Sequence, residues 1–65
     1  MDTIIGRRFK SFMDGHTYIA DSYDPRIGVW MTREDCPPEH KTDTKGQWRR
    51  NVSERAIGRT FHEVS

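Results

Sequence analysis

Apolar and polar positions alternate with a short period over the first half of the chain. Phe9-Lys10-Ser11-Phe12 and His16-Thr17-Tyr18-Ile19 flank Asp14-Gly15. Asp-Gly between two such runs signals a hairpin, because both positions tolerate positive φ. A second turn signal, Asp24-Pro25-Arg26-Ile27-Gly28, separates Thr17–Tyr23 from Val29–Arg33. There the Asp side chain can bond the backbone ahead, Pro presets φ, and Gly accepts a left-handed exit. Both flanks are rich in β-branched and aromatic residues, so the pattern predicts a three-strand meander over about 4–11, 16–23 and 28–33. Apolar groups fall on both faces of these strands, which fits a strongly curved small barrel better than a flat one-sided sheet.

Residues 34–46 break the pattern. They hold Pro37, Pro38 and many charges, with Cys36 the only apolar side chain. This reads as a long loop, functional or mobile in so small a domain. Strand character resumes around Gln47-Trp48-Arg49-Arg50, a fourth strand. Beyond it, Asn51-Val52-Ser53-Glu54 resembles a capping box, with Ser53 an alternative cap. Val52, Ala56, Ile57, Phe61 and Val64 then follow near-helical spacing. Gly58 and Thr60 oppose a long helix, so the expectation is one or two helical turns over about 53–58 and an extended segment over 59–64. Ile5-Gly6-Arg7-Arg8-Phe9 is echoed by Ile57-Gly58-Arg59-Thr60-Phe61. The echo is read as coincidence in origin, while pairing of the two terminal segments would close a small barrel.

Four stretches carry a resemblance. They are Gly6-Arg7-Arg8-Phe9, Asp14-Gly15-His16-Thr17-Tyr18, Tyr23 to Met31, and Asn51 to Phe61. Together they resemble short proteins carried by phages and prophages, which are similar to SH3-like barrels ending in a Val-Ser-x-x-Ala-Ile turn. The resemblance covers most of the chain outside 34–46. It implies the barrel, and it brings no activity and no catalytic residues.

Size narrows the functional classes. The chain has 65 residues, 32% of them hydrophobic and 32% charged, with a single cysteine. It holds one domain, residues 1–65, and excludes a two-domain enzyme. One cysteine makes no internal disulfide. No apolar run approaches the roughly 20 residues of a membrane span, and Met1-Asp2-Thr3-Ile4-Ile5-Gly6 lacks the form of a signal peptide. The expectation is a cytoplasmic protein with no membrane partner. Burial is barely sufficient at this length. Trp30, Trp48, Tyr18, Tyr23, Phe9, Phe12 and Phe61 with the β-branched residues suffice for one core; Trp30 is assigned to it, and Trp48 is left open between the core and a rim.

The net charge of +1 is unevenly placed. Residues 1–10 carry Arg7, Arg8 and Lys10 against Asp2. Residues 11–40 are acidic, with Asp14, Asp21, Asp24, Glu34, Asp35 and Glu39 against Arg26 and Arg33. Residues 41–65 are basic again. If the terminal segments pair, Arg7, Arg8, Arg49, Arg50, Arg55 and Arg59 form one basic surface. Arginine forks suit phosphate, and Trp48 beside them suits base stacking. The opposing reading is a surface in which the acidic middle neutralises the basic ends.

Other chemistries are sparsely supplied. Cys36, His40, His16 and His62 are the metal-ligand types, but paired-ligand spacing is missing, and Pro37-Pro38 resists a helical turn between Cys36 and His40. Cys36 lacks any sign of an orienting group for nucleophilic catalysis. The glycines are spread singly, without a phosphate loop. No catalytic residue, metal or cofactor is assigned. The leading expectation is a non-enzymatic module that binds nucleic acid through the six arginines and Trp48. The second is a protein-interaction or inhibitor module acting on a host protein through 34–46 or the Trp48 rim. Homodimerisation is a third.

Overall fold

Both turn signals close hairpins in the computed structural model, which describes residues 4–43 and 46–64. Asp2 and Lys45, counted among the charges above, lie outside the described residues, as does the start of the N-terminal segment. The strands are β1 (Arg8–Ser11), β2 (Thr17–Asp24), β3 (Gly28–Arg33), β4 (Arg49–Val52) and β5 (Phe61–Val64), with helix α1 (Glu54–Thr60) between the last two. All pair antiparallel in the order β4-β3-β2-β1-β5. The result is a mainly-β curled sheet, a half-barrel of five strands with one short helix near the C-terminus. β1 and β5 do pair, Arg8 opposite Val64 and Ser11 opposite Phe61. That pairing adds an edge strand to the meander. It leaves β4 and β5 as the two rims of an open sheet.

The second turn forms as its residues require. The Asp24 carboxylate accepts the Arg26 N–H at 2.9 Å, the Asp24 carbonyl accepts the Ile27 N–H at 3.1 Å, and Gly28 exits at φ +105°. Gly28 also lies where the start of β3 meets the end of β4. A Cβ there would collide with the Val52 carbonyl oxygen and lie 3.0 Å from Ser53 Cα. The first turn is longer than a two-residue hairpin. Only Gly15 has positive φ, and Ser11 N–H bonds the His16 carbonyl across the loop. Phe12 and Met13 therefore belong to the turn.

One face of the sheet holds the core. Phe9, Tyr18, Ala20, Val29, Met31, Val52 and Phe61 are buried together, with Ile4, Ala56 and Ile57 packed against them. The alternation Phe9/Ser11, Tyr18/Ala20 and Val29/Met31 is the period-2 signal of a sheet with one filled face. α1 lays Ala56 and Ile57 over that filling. It begins at Ser53, which has extended N-cap geometry but makes no side-chain cap bond. The capping box expected there does not form.

Several positions differ from the sequence reading. β1 starts at Arg8, because residues 4–6 form a turn in which Gly6 (φ +91°) donates to the Ala20 carbonyl. β4 starts and ends two residues later than expected. Pro37-Pro38 does not prevent a turn: Pro38–His40 is a single 3-10 turn with proline in its first positions, where the missing N–H is no loss. Phe12, Ile5, Tyr23 and Ile27 are exposed. Trp30 is half-buried on the outer face, outside the core. A bulge at Asp21 explains that face: Ala20 opposes Met31 while Ser22 opposes Trp30, so Asp21 and Ser22 both turn outward. The echoed pentapeptides adopt unlike structures. Residues 57–60 end α1, whereas Gly6 is a left-handed turn residue.

Gly28→Ala is expected to destabilise the fold by at least about 1–3 kcal/mol, because strain at positive φ and the collision with Val52 act together. Gly15→Ala (φ +73°, open space around the Cβ) is expected to cost less, about 1–2 kcal/mol. Urea unfolding of the two variants should show this order; equal midpoints would contradict it.

Candidate functional site

Consecutive residues on a strand face opposite ways, and that rule divides the arginines. On the outer face, Arg49 donates to Thr32 Oγ1 (3.1 Å), to both carboxylate oxygens of Asp21 (3.1 Å) and to the Asp43 carbonyl (3.0 Å). Its guanidinium lies 4.7 Å from the Trp30 ring centre. Thr32 in turn donates a short hydrogen bond to Asp21. The Asp21 bulge, Trp30 and residue 43 of the long loop thus enclose Arg49, whose side chain is only 11% exposed.

Arg50 lies on the inner face, opposite Met31. Its guanidinium sits 5.5 Å from the Tyr18 ring centre and donates to Asp14 at 2.8 Å. The Tyr18 hydroxyl donates to the same Asp14 oxygen at 2.8 Å, and the His16 N–H bonds the other oxygen at 2.9 Å. Partial burial alone would raise the Asp14 carboxyl. The His16 N–H, the Tyr18 hydroxyl and the Arg50 charge outweigh it and hold Asp14 below its ordinary 3.8. Burial, reinforced by the bond to Asp14, pushes Tyr18 from its ordinary 10.0 up to about 12.

Three further arginines are also engaged. Arg7 grips Glu63 with two bonds of 2.6 Å, Arg8 reaches Glu34 at 2.8 Å, and Arg33 holds Asp35 at 2.9–3.0 Å. The Arg33 bond is the main cause that lowers the Asp35 carboxyl. Arg55 and Arg59 lie exposed on α1 and make no ion pair with a described residue. The six-arginine surface does not assemble. Four of its members are bonded to carboxylates, and Arg49 and Arg50 are on opposite faces. Trp48 is stacked on as well, by Arg33 at 4.7 Å and by His40 at 5.8 Å, with His40 held by Asp43 at 2.9 Å.

Cys36 and the histidines do not converge. Cys36 is buried, its Sγ lies 3.3 Å from the Pro37 carbonyl, and burial pushes its thiol up. His40 bonds Asp43, and His62 stacks on Phe12. Among the described residues no three His, Cys, Asp or Glu side chains form a metal-binding group. A cleft of about 200 Å³ is lined by Gly15, His16, Thr17, Glu34 and Asp35. Its carboxylates are committed to Arg8 and Arg33, and it is smaller than the roughly 300–1,000 Å³ of small-molecule sites.

One end of the half-barrel does gather unlike chemistries. The β1–β2 turn brings Phe12 and Met13 beside the last turn of α1, where the Phe12 N–H bonds the Thr60 carbonyl at 2.8 Å. The same turn carries Asp14, which draws in Arg50; Arg33, Trp48 and His40 complete the rim. Met13 was not singled out by the sequence, and Phe12 was assigned to the core. The signal that locates them is the turn itself: a hairpin loop that opens after Ser11 leaves both outside the strand. Comparison of the chain with protein-family models, curated proteins and solved structures finds no match.

Tyr18→Phe is expected to cost about 1–3 kcal/mol, the worth of a hydrogen bond to a charged group. The pH dependence follows from linkage. In the unfolded chain Tyr18 ionises near 10.0, in the folded one near 12, so its contribution is whole below pH 10 and lost as pH rises toward 12. Asp14 acts oppositely: its contribution is whole above 3.8 and lost as pH falls below that. Unfolding free energies across pH should show the alkaline decline reduced in Tyr18→Phe and the acid decline reduced in Asp14→Asn. Unchanged limbs in both variants would contradict the assignment.

Proposed function

We propose that the chain is a small non-enzymatic binding module whose partner is a protein, docked at the turn tip that carries Phe12 and Met13. The observation that carries this reading is the exposure of those two neighbours, 60% for Phe12 and 78% for Met13. Full burial of each would be worth about 1.5–3 kcal/mol. In a chain this short, large apolar side chains are needed inside, and two adjacent ones on a turn tip form a patch of the kind that marks interaction sites.

The arginine geometry supports the same choice. Phosphate would have to displace carboxylates already bonded to Arg7, Arg8, Arg49 and Arg50, and a base would have to displace His40 or Arg33 from Trp48. Nucleic-acid binding is the second reading, narrowed to Arg55 and Arg59 on α1. The resemblance to phage-borne proteins suits an accessory protein that acts on a cytoplasmic host protein. Among the described residues no helix is long and apolar enough to cross a membrane.

Affinity capture from a bacterial lysate tests the reading. Capture of a protein is expected to survive nuclease treatment and raised salt, and to be lost in the Phe12→Ser/Met13→Ser double variant. Both residues lie outside the core, so the circular dichroism of that variant should match the wild type. Loss of capture with nuclease would instead establish nucleic-acid binding, which weakens steeply with salt.

A further inference from the structure

We infer that the partner presents an acidic polypeptide surface around an apolar contact, and that Lys10 and Arg59 are the residues that select it; this rests on the protein-binding reading above. Lys10 and His62 are cross-strand partners at the end of β1 that leads into the turn. The Phe12 and His62 rings are 4.8 Å apart. The Phe12 N–H bond to Thr60 sets the α1 terminus, with exposed Arg59, against the tip. Neither Lys10 nor Arg59 forms an ion pair with a described residue.

The nearby carboxylates cannot serve them without breaking other bonds. Asp14 is taken by the His16 N–H, the Tyr18 hydroxyl and Arg50. Glu63 is taken by both arms of Arg7. The fold thus leaves two exposed apolar side chains on a tip next to the strand end of Lys10 and the helix end of Arg59, two cations without an ion-pair partner among the described residues, while the nearby carboxylates are bonded internally. Complementarity at an interface steers encounter and rejects like-charged partners. A neutral apolar surface would desolvate Lys10 and Arg59 against nothing. A phosphate backbone would answer the cations and leave Phe12 and Met13 in water. Carboxylates framing an apolar side chain answer both. An anionic bilayer shares these chemistries but holds no fixed frame of carboxylates, so it stands as a competing arm of the test.

The test is a titration of isotope-labelled protein followed by its amide resonances. The probes are a glutamate–tyrosine copolymer, polyglutamate, a lysine–tyrosine copolymer, and vesicles of phosphatidylglycerol and phosphatidylcholine. The glutamate–tyrosine copolymer is expected to shift Lys10, Phe12, Met13, Thr60 and His62. Polyglutamate should bind at least about tenfold more weakly, a difference of about 1.4 kcal/mol, and the lysine–tyrosine copolymer should leave the tip unmoved. Lys10→Glu/Arg59→Glu and Phe12→Ser/Met13→Ser should each weaken the copolymer by about tenfold or more. The inference is overturned if the lysine copolymer binds equally, if the shifts fall elsewhere, if vesicles bind more tightly than the copolymer, or if the free protein is a dimer that buries the tip. Its failure is separable from that of the wider reading. Lysate capture that depends on Phe12 and Met13 but ignores Lys10→Glu/Arg59→Glu would sink the acidic partner alone; capture indifferent to Phe12 and Met13 would sink both.

Discussion

The Tyr18 side chain joins more of this molecule than any other group. Its ring is fully buried, meets Phe61 of β5 edge-on at 5.5 Å and 86°, and lies beneath the guanidinium of Arg50 from β4. Its hydroxyl ends on Asp14 in the β1–β2 turn. One residue on a central strand therefore ties the two rims of an open sheet to the hairpin tip. Burial of such a ring is worth about 1.5–3 kcal/mol, and the edge-on pair adds about 0.5–1.5 kcal/mol. A phenylalanine would keep most of that packing and leave Asp14 with fewer donors. Tyrosine serves because its apolar body reaches the core while its polar end emerges where a carboxylate waits.

That arrangement also decides what the charges do. Three of the ion pairs among the described residues join the acidic middle of the chain to its basic ends: Arg50 with Asp14, Arg49 with Asp21, Arg8 with Glu34. Each pair bridges segments far apart in sequence. Exposed pairs such as Arg7–Glu63 contribute about 0–1 kcal/mol. Arg49 differs, because it is mostly enclosed and its donors are matched to Asp21, Thr32 and a loop carbonyl, which gives the long loop a fixed anchor on the sheet. A surface that spends its arginines this way keeps little positive charge for phosphate.

Much of the fold was legible because turns are local. Asp24-Pro25-Arg26-Ile27-Gly28 contains every group its hydrogen bonds need, and the strand runs on either side follow from it. The first hairpin was legible as a turn but not in length, since Asp14-Gly15 does not say how many residues before it leave the strand; Phe12 was misplaced for that reason. Trp30 was misplaced because the Asp21 bulge and the Arg49 cover are tertiary, and an outer-face tryptophan under an arginine has no periodicity of its own. The six-arginine surface failed on a rule already available: Arg49 and Arg50 are adjacent on one strand and must part. Arg33 and His40 on Trp48 were not legible, because they come from a distant strand and a loop whose path no pattern specifies.

The open half-barrel leaves two sheet edges, and both are protected against pairing with a second chain. β4 and β5 are four residues each. β4 carries Arg49 on one face and Arg50 on the other, each bonded to a carboxylate, and charged side chains of this kind blunt a sheet edge. β5 places His62 and Glu63 on opposite faces, both exposed, with Glu63 clamped by Arg7. Short, charged edges offer a partner strand little to extend. The filled face is closed by α1, and the outer face is occupied by the Arg49 network. Phe12 and Met13, on the turn that Tyr18 holds through Asp14, are the most exposed of the large apolar side chains among the described residues. Phe12 is tied to the body by its N–H bond to Thr60 and by its ring against His62, so the exposure of the tip rests on the same strand and helix contacts that close the core.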